Sequence, residues 1–364
     1  MSNERDMGNA MDGNAIPRSS HMALPLTDEP MVDTAGLPAG VAMRPFAGDE
    51  DLKVFVEIAN AANTEDRVEE RTSFEALHNW ASHPSRTFDA AKDLAVVTVD
   101  EVPIAYGWTG WVDSTDGVRD YSTRGHVHPA WRRRGIGTAI LRHNEARLRR
   151  LAAEHGTDRP RFYSAFAPDS RLGAVALVKE QGYQPVRYFF DMVRPTLDEI
   201  VVPDLPQGLE IRPVAGRDQM RQLFDADVEA FLDHWGGFDA TDAAFEQFLA
   251  DPDYQDPGLF VVAWDGDQIA GSVTNVINER ENAELGRLRG LLDSVSVRRP
   301  WRGRGLGYTL VMRSLELLRE RGMRSAWLGV DAENPTGALR LYEKAGFVVD
   351  TRAAAYRKPM EMDS

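Results

Sequence analysis

The stretch VRRPWRGRGLGYTL, Val297 to Leu310, decides the fold. It follows the β-branched run LLDSVSV (Leu291–Val297) and precedes apolar residues at helical spacing. It therefore reads as a strand, a glycine turn and the start of a helix. Such a junction presents unpaired backbone N–H groups at the positive end of a helix dipole, which is an anion site. Glycine lets a phosphate approach because no Cβ intervenes. The spacing is Arg302-x-x-Gly305-x-Gly307. The Gly-Lys-Ser/Thr of a nucleotide P-loop is missing, and Gly-x-Gly-x-x-Gly is not completed. The stretch reads as a cradle for a pyrophosphate other than that of ATP or NAD.

An earlier stretch, VHPAWRRRGIGTAI (Val127–Ile140), says nearly the same thing. Trp131 and Trp301 stand 170 positions apart, as do Gly135 and Gly305, and Gly137 and Gly307. Downstream, GAVALVKEQGY (Gly173–Tyr183) aligns with GALRLYEKAGF (Gly337–Phe347) at a separation of 164. The six-residue difference falls around GTDRPR, Gly156–Arg161. Two blocks in one order indicate a tandem duplication of a domain of about 150 residues. The expected divisions are a disordered polar leader over 1–40, a first domain over 41–194, a proline-bearing linker over 195–208 and a second domain over 209–364.

Each half reads alike. In the second, a strand is expected over Leu209–Val214, helices over 216–235 and 241–250, and a hairpin turning at Asp265–Gln268. The Leu291–Val297 strand follows, then the glycine turn and a helix that stops at Gly322, a strand, a helix and a final strand. The first half repeats this order, with helices over 48–63, 72–82, 134–155 and 170–182.

Composition narrows the function. The 364-residue chain has no cysteine, which excludes disulfides, thiolate nucleophiles and cysteine zinc sites, and fits a reducing cytoplasm. Its eight histidines show no metal-ligand spacing, so no metal is expected. The formal charge of −15 argues against nucleic acid and permits a cationic substrate. No apolar run reaches the ~18 residues of a membrane span.

The element order with Arg-x-x-Gly-x-Gly after the fourth strand resembles the GNAT superfamily of acyl-CoA-dependent N-acyltransferases. The resemblance covers about 41–194 and 209–358. AFLDHWG (Ala230–Gly236), SVSVRRPWRGRGLG and LGVDAENPTGALRLYEKAGF look like tandem-domain members related to mycothiol synthase and to antibiotic acetyltransferases of the kasugamycin type. It implies an α/β (α+β) fold: two tandem domains, each a mixed, mostly antiparallel sheet flanked by helices. It also implies acetyl-CoA as co-substrate.

Carried over by position, the cradle is Arg302, Gly303, Arg304, Gly305, Leu306, Gly307 and Tyr308. Its first-domain counterpart is Arg132, Arg134, Gly135 and Gly137. The amides of Val295 and Val297 are expected to pair with the pantetheine arm; Asn334 is expected to cap the helix or turn before Pro335, to contact that arm, or both. The family's general acid, a tyrosine in the helix after the fifth strand, falls on Tyr342. The aligned first-domain residue is Val178, which has no proton to give, so the second domain is expected to be the catalytic one. The family's glutamate position is Leu291, a departure. Asp293 is the substitute base, set against an aspartate merely paired with Arg287 or Arg289, or deprotonation through water. Strand alternation puts Leu291 and Asp293 on one side, counted from Val297.

Arg221–Asp256 carries ten acidic residues against one basic. This α1–α2 region lines the acceptor side in the family, so a polyamine-like or aminoglycoside-like amine is expected. The plain alternative is a solvated helix face. His234 and Trp235 are the candidate acceptor wall. The rival readings are a non-catalytic acyl-CoA sensor and a protein N-acetyltransferase. The chain is expected to act as a monomer or homodimer.

Overall fold

The computed structural model describes residues 37–361 apart from 84, 157–158, 233, 237–239 and 335–336. Most of the expected leader lies outside the described residues.

The first half runs β1 (Val41–Pro45), α1 (Asp49–Glu65), α2 (Phe74–Ser82), α3 (Ala90–Asp93), β2 (Leu94–Val99), β3 (Val102–Asp113), β4 (Arg119–Val127), α4 (Ile136–Glu154), β5 (Arg161–Pro168), α5 (Leu172–Glu180) and β6 (Gln184–Arg194). The second runs β7 (Glu210–Ile211), α6 (Gly216–Phe231), α7 (Asp242–Ala250), β8 (Phe260–Asp265), β9 (Gln268–Val276), α8 (Glu279–Leu285), β10 (Arg289–Val297), α9 (Leu306–Glu320), β11 (Ser325–Asp331), α10 (Ala338–Lys344) and β12 (Val348–Pro359). No helix among the described residues is long and apolar enough to cross a membrane.

Equivalent helices start by equivalent chemistry. The Ser73 hydroxyl accepts from the Ala76 amide at 3.1 Å to cap α2, and Thr241 accepts from Ala244 at 3.3 Å to cap α7. Both α4 and α9 begin after a left-handed glycine, Gly135 at φ 82° and Gly305 at φ 85°.

The halves do not own separate sheets. One twelve-stranded sheet has the order β1-β2-β3-β4-β5-β12-β6-β11-β10-β9-β8-β7. The last strand of each half crosses over: β12 pairs antiparallel with β5, and β6 with β11. Tyr356 and Met360 accordingly join the core under α4, while Met192 joins the core under α9. The break at residue 194 in sequence is therefore not a break in the sheet. The exchange joins the two halves through antiparallel ladders on both sides of β6 and β12.

The strand expected over Leu209–Val214 is paired only at Glu210–Ile211. A second difference is α8. The first half bridges β3 to β4 with a long hairpin, paired out to Asp113–Arg119, whereas the second spends the matching residues on α8. These two connectors receive the opposite half. Trp235 Nε1 donates to Asp116 at 3.0 Å, and Thr115 Oγ1 to the His234 carbonyl at 2.6 Å. In return Glu69, on the α1–α2 connection, pairs with Arg287 and with Arg289, the latter at 2.8 Å.

Helices cover both faces of the sheet. In the second half, α9 buries Leu310, Val311 and Leu315 against Val273, Leu292 and Leu328. On the other face, α6 and α7 bury Leu223, Phe224 and Phe245 against Val262 and Trp264. At ~25 cal/mol per Å² of apolar area, each such side chain contributes about 1.5–3 kcal/mol.

Candidate active site

The site is built where two parallel strands part. β10 pairs with β11 only from Arg289 to Leu291, and the rest of β10 runs free on that side. The cause lies in β10 itself. Its register against β9 shifts between Leu292 and Ser294, leaving Asp293 as the extra residue of a β-bulge. A bulge increases local twist and turns the strand from its neighbour.

The bulge also resets alternation. Leu292, Val295 and Val297 pack on the α9 face. Asp293, Ser294 and Ser296 meet α6 and the 3-10 turn Pro252–Tyr254 on the other. Counting back from Val297 thus misplaces Asp293 by one face, although Leu291 and Asp293 do share a side. The free amides follow the same geometry. Arg298 N–H bonds the Ala270 carbonyl at 3.0 Å and Ser294 N–H bonds Thr274 Oγ1 at 3.2 Å, both toward β9. Period-two alternation then directs the Val295 and Val297 amides into the gap.

At the end of β10 lies the cradle. Gly303 and Gly305 have φ of 74° and 85°, and a Cβ on either would meet open space. The first helical bond of α9 runs from Thr309 N–H to the Gly305 carbonyl, so the amides of Leu306, Gly307 and Tyr308 have no intrahelical acceptor. These groups fit a pyrophosphate. Gly307 has a second duty: a methyl there would come within 3.3 Å of Leu341, so its absence lets α10 lie close to α9.

Arg302 turns back from the loop. Its Nε donates to the Val297 carbonyl at 2.8 Å and a terminal nitrogen to the Ala230 carbonyl at 3.0 Å, stapling the cradle to β10 and α6. Arg304 is exposed and reaches the Gln207 carbonyl at 3.3 Å. The Tyr308 ring lies under Lys344 at 4.2 Å. In the first half, Arg132 repeats the staple, with Nε to the Val127 carbonyl at 3.2 Å, and Arg134 lies over Trp131 at 4.7 Å.

Tyr342 is 7% exposed on α10, in T-shaped contact with Phe347. Its hydroxyl makes no hydrogen bond among the described residues. Burial pushes its pKa up, so the phenol stays protonated. Asn334 sits in the turn before α10, where Gly337 N–H bonds its carbonyl at 3.3 Å. The residue preceding the helix is Gly337, so Asn334 holds the turn rather than the helix end.

Asp293 is not paired with Arg287 or Arg289, which are taken up by Glu69 and Glu281. It accepts a hydrogen bond from Tyr254. Burial raises its pKa above the usual carboxylate range, opposed by the Tyr254 bond.

Two neighbours were not singled out by sequence. Asp227 on α6 accepts from Ser272 at 2.8 Å, Ser294 at 2.9 Å and Ser296 at 2.6 Å. Asp253 is pushed up to about 6 by burial and by Asp251 and Asp293. Their signal lay in the acidic run Arg221–Asp256, which did not reveal which members converge. Trp235 is committed between halves, with its ring under Arg357 at 4.9 Å and beside Phe189 at 6.0 Å. His234 packs on Phe231 at 4.4 Å.

A splayed parallel pair, a bulge and a glycine cradle in one sheet define an acyltransferase-type fold. The profile of the Acetyltransferase (GNAT) family matches residues 220–347. The mycothiol acetyltransferase of Thermomonospora curvata is 34% identical over 64% of this chain and 72% of its own. That of Catenulispora acidiphila is 28% identical over 86% and 96%. A GCN5-related N-acetyltransferase structure from Sphaerobacter thermophilus superposes with a TM-score of 0.64 at 25% identity, covering 89% of this chain and 96% of that one. A tandem GNAT protein from the clavulanic acid biosynthesis pathway shares the fold, with a TM-score of 0.63 at 17% identity, over 89% of this chain and 100% of its own. The chain belongs to the GNAT acetyltransferase family and is a homologue of mycothiol acetyltransferases.

Proposed function

We propose that the second half transfers an acetyl group from acetyl-CoA to a primary amine of a small cationic molecule. The carrying observation is that bulge, gap, cradle and a free phenol converge around β10, whereas the first half has a straight β4 and Val178. Acetyl-CoA supplies the activated acetyl group. The cradle amides hold its pyrophosphate, and the Val295 and Val297 amides align its arm along β10. Asp293, with its raised pKa, takes the proton of the attacking amine. Tyr342 gives a proton to the departing sulfur. Asp227, Asp251, Asp253 and Asp293 together favour a positively charged acceptor.

The relatives' name favours one acceptor, the amine that acetylation converts into mycothiol. Aminoglycosides and polyamines are the other members of the same charge class. Thiol release from acetyl-CoA, followed across these amines and basic peptides, tests the reading. Turnover is expected with a cationic small amine and reduced by about 100-fold or more in Tyr342→Phe. Tight CoA binding without turnover on any amine would establish the sensor instead.

A further inference from the structure

Asp293 is the extra residue of the bulge, so neither neighbouring strand aims it. The register against β9 skips it between Leu292 and Ser294, and pairing with β11 has already ended at Leu291. A residue left out of the register on both sides takes no fixed facing from a ladder. Its carboxylate is held by a phenol instead. The Tyr254 hydroxyl donates to Asp293 Oδ2. Oδ1 makes no hydrogen bond among the described residues, and Asp293 keeps an open side toward solvent.

Tyr254 is itself fixed. It closes the 3-10 turn Pro252–Tyr254, where its N–H bonds the Asp251 carbonyl at 3.1 Å and the Asp251 carboxylate accepts from the Asp253 N–H at 2.9 Å. Its ring lies 4.9 Å from that of Phe248 on α7 and 6.2 Å from that of Phe260 on β8, which is buried. Aromatic neighbours on two elements hold the ring, so the hydroxyl is presented from a set point.

The first half keeps this scaffold without its polar groups. Leu94–Val97 pairs with Trp108–Ala105 as Phe260–Ala263 pairs with Thr274–Gly271, at a separation of 166. Counted back in that frame, Phe88 stands where the second half has Tyr254. Trp80 and Phe248 each lie seven residues after the helix caps Ser73 and Thr241. Trp80 stacks on Phe88 at 4.3 Å, as Phe248 meets Tyr254. The ring is kept and the hydroxyl is not. β4 pairs with β3 residue for residue from Ala105 to Asp113, so the extra residue is missing too. Packing accounts for the ring in both halves; only a partner such as Asp293 accounts for the hydroxyl in one.

We propose that Tyr254 is a positioning residue for acetyl transfer: it holds Asp293 by Oδ2 and leaves Oδ1 to meet the incoming amine. This role rests on the proposed reaction, in which Asp293 takes the amine's proton. A donor to an ionised carboxylate favours the charged form, so Tyr254 keeps Asp293 a base at lower pH. It works against Asp251 and Asp253 of its own turn and Asp227 of α6, whose charges beside Asp293 favour the protonated form. Glu281 on α8 adds to the acidic field at Asp253.

The test is the pH profile of kcat/KM in the full chain, with the fastest acceptor of the thiol-release panel. In Tyr254→Phe the acid limb should move up by about one pH unit, a loss of about tenfold below the limb, while KM for acetyl-CoA stays within about twofold. A ring that only packs would lower the profile evenly and leave the limb in place. In an Asp293→Asn chain, adding Tyr254→Phe should cost less than about twofold more, because the hydroxyl acts through that carboxylate. Phe88 fills the matching place in the first half, so the phenylalanine variant should fold. An unmoved limb, or a full additional loss in the Asp293→Asn chain, would overturn this role and leave the transfer reaction standing. No turnover by the wild-type chain on any amine would remove the reaction itself, and this role with it.

Discussion

The two halves share a chain plan, a glycine cradle and an arginine staple, yet β10 is bulged and β4 is straight. The bulge residue, Asp293, is one of the points at which they part. In β10 the bulge ends the pairing with β11 at Leu291. In β4 the pairing with β5 continues one position further in the aligned frame, to Ser122 and Ser164, whose hydroxyls bond at 2.9 Å. The two copies thus keep the glycine turn in common and differ in the strand that leads into it. The turn depends on backbone geometry, which glycine alone secures, whereas the strand's chemistry depends on side chains that drift freely.

The largest expected effect concerns what binds the halves together. Arg357, on the crossed-over β12, donates to Asp120 at 2.8 and 2.6 Å and to Asp116 at 2.6 Å, with its side chain 9% exposed. Arg357→Ala leaves the buried Asp120 without its cation and should cost about 3–5 kcal/mol, measurable by urea unfolding. If the loss is under about 1 kcal/mol, the crossed strand is not what locks the sheet.

Next comes the comparison of Tyr342 with Val178. Tyr342→Phe should lower kcat by about 100-fold or more while leaving CoA affinity within about twofold. Val178→Tyr should restore no turnover to a Tyr342→Phe chain, because β4 lacks the bulge. Recovered thiol release would show that a tyrosine at position 178 is enough for turnover without the bulge.

A smaller effect tests equivalence itself. Ser73→Ala and Thr241→Ala should each destabilise by about 1 kcal/mol, since each removes one cap from one matched helix. Unequal losses in thermal melts would show that the copies carry different shares of the stability.

The smallest is a pH dependence. Asp227, Asp251 and Asp293 have raised pKa values, and Asp253 lies at about 6, in each case chiefly through burial. A carboxyl whose folded pKa exceeds its unfolded value binds more protons when folded, so stability falls as pH rises from about 4 to 6. A cationic amine should offset that loss and bind more tightly over the same interval. Melting curves with and without spermidine check the sign, and affinity that falls with rising pH would exclude the acidic wall.

Much of this was legible beforehand. The repeated glycine turn and the alignment of Tyr342 with Val178 follow from spacing, because turns and helix faces are local, while their roles came from the resemblance. Asp293 was found, but its partner Tyr254 lies 39 positions away and its facing depends on a bulge that alternation does not announce. Trp235 read as an acceptor wall, yet its partners Asp116 and Arg357 come from the other half and the chain's end.

By itself, then, the sequence determined two copies of one plan and that the second carries Tyr342 where the first has Val178. Glycine geometry and residue chemistry are written in consecutive letters. Only the tertiary structure decided that the halves exchange their last strands and that Asp227 gathers three serines. Those features arise where segments far apart in sequence meet, and packing and charge are settled there by neighbours no local pattern names.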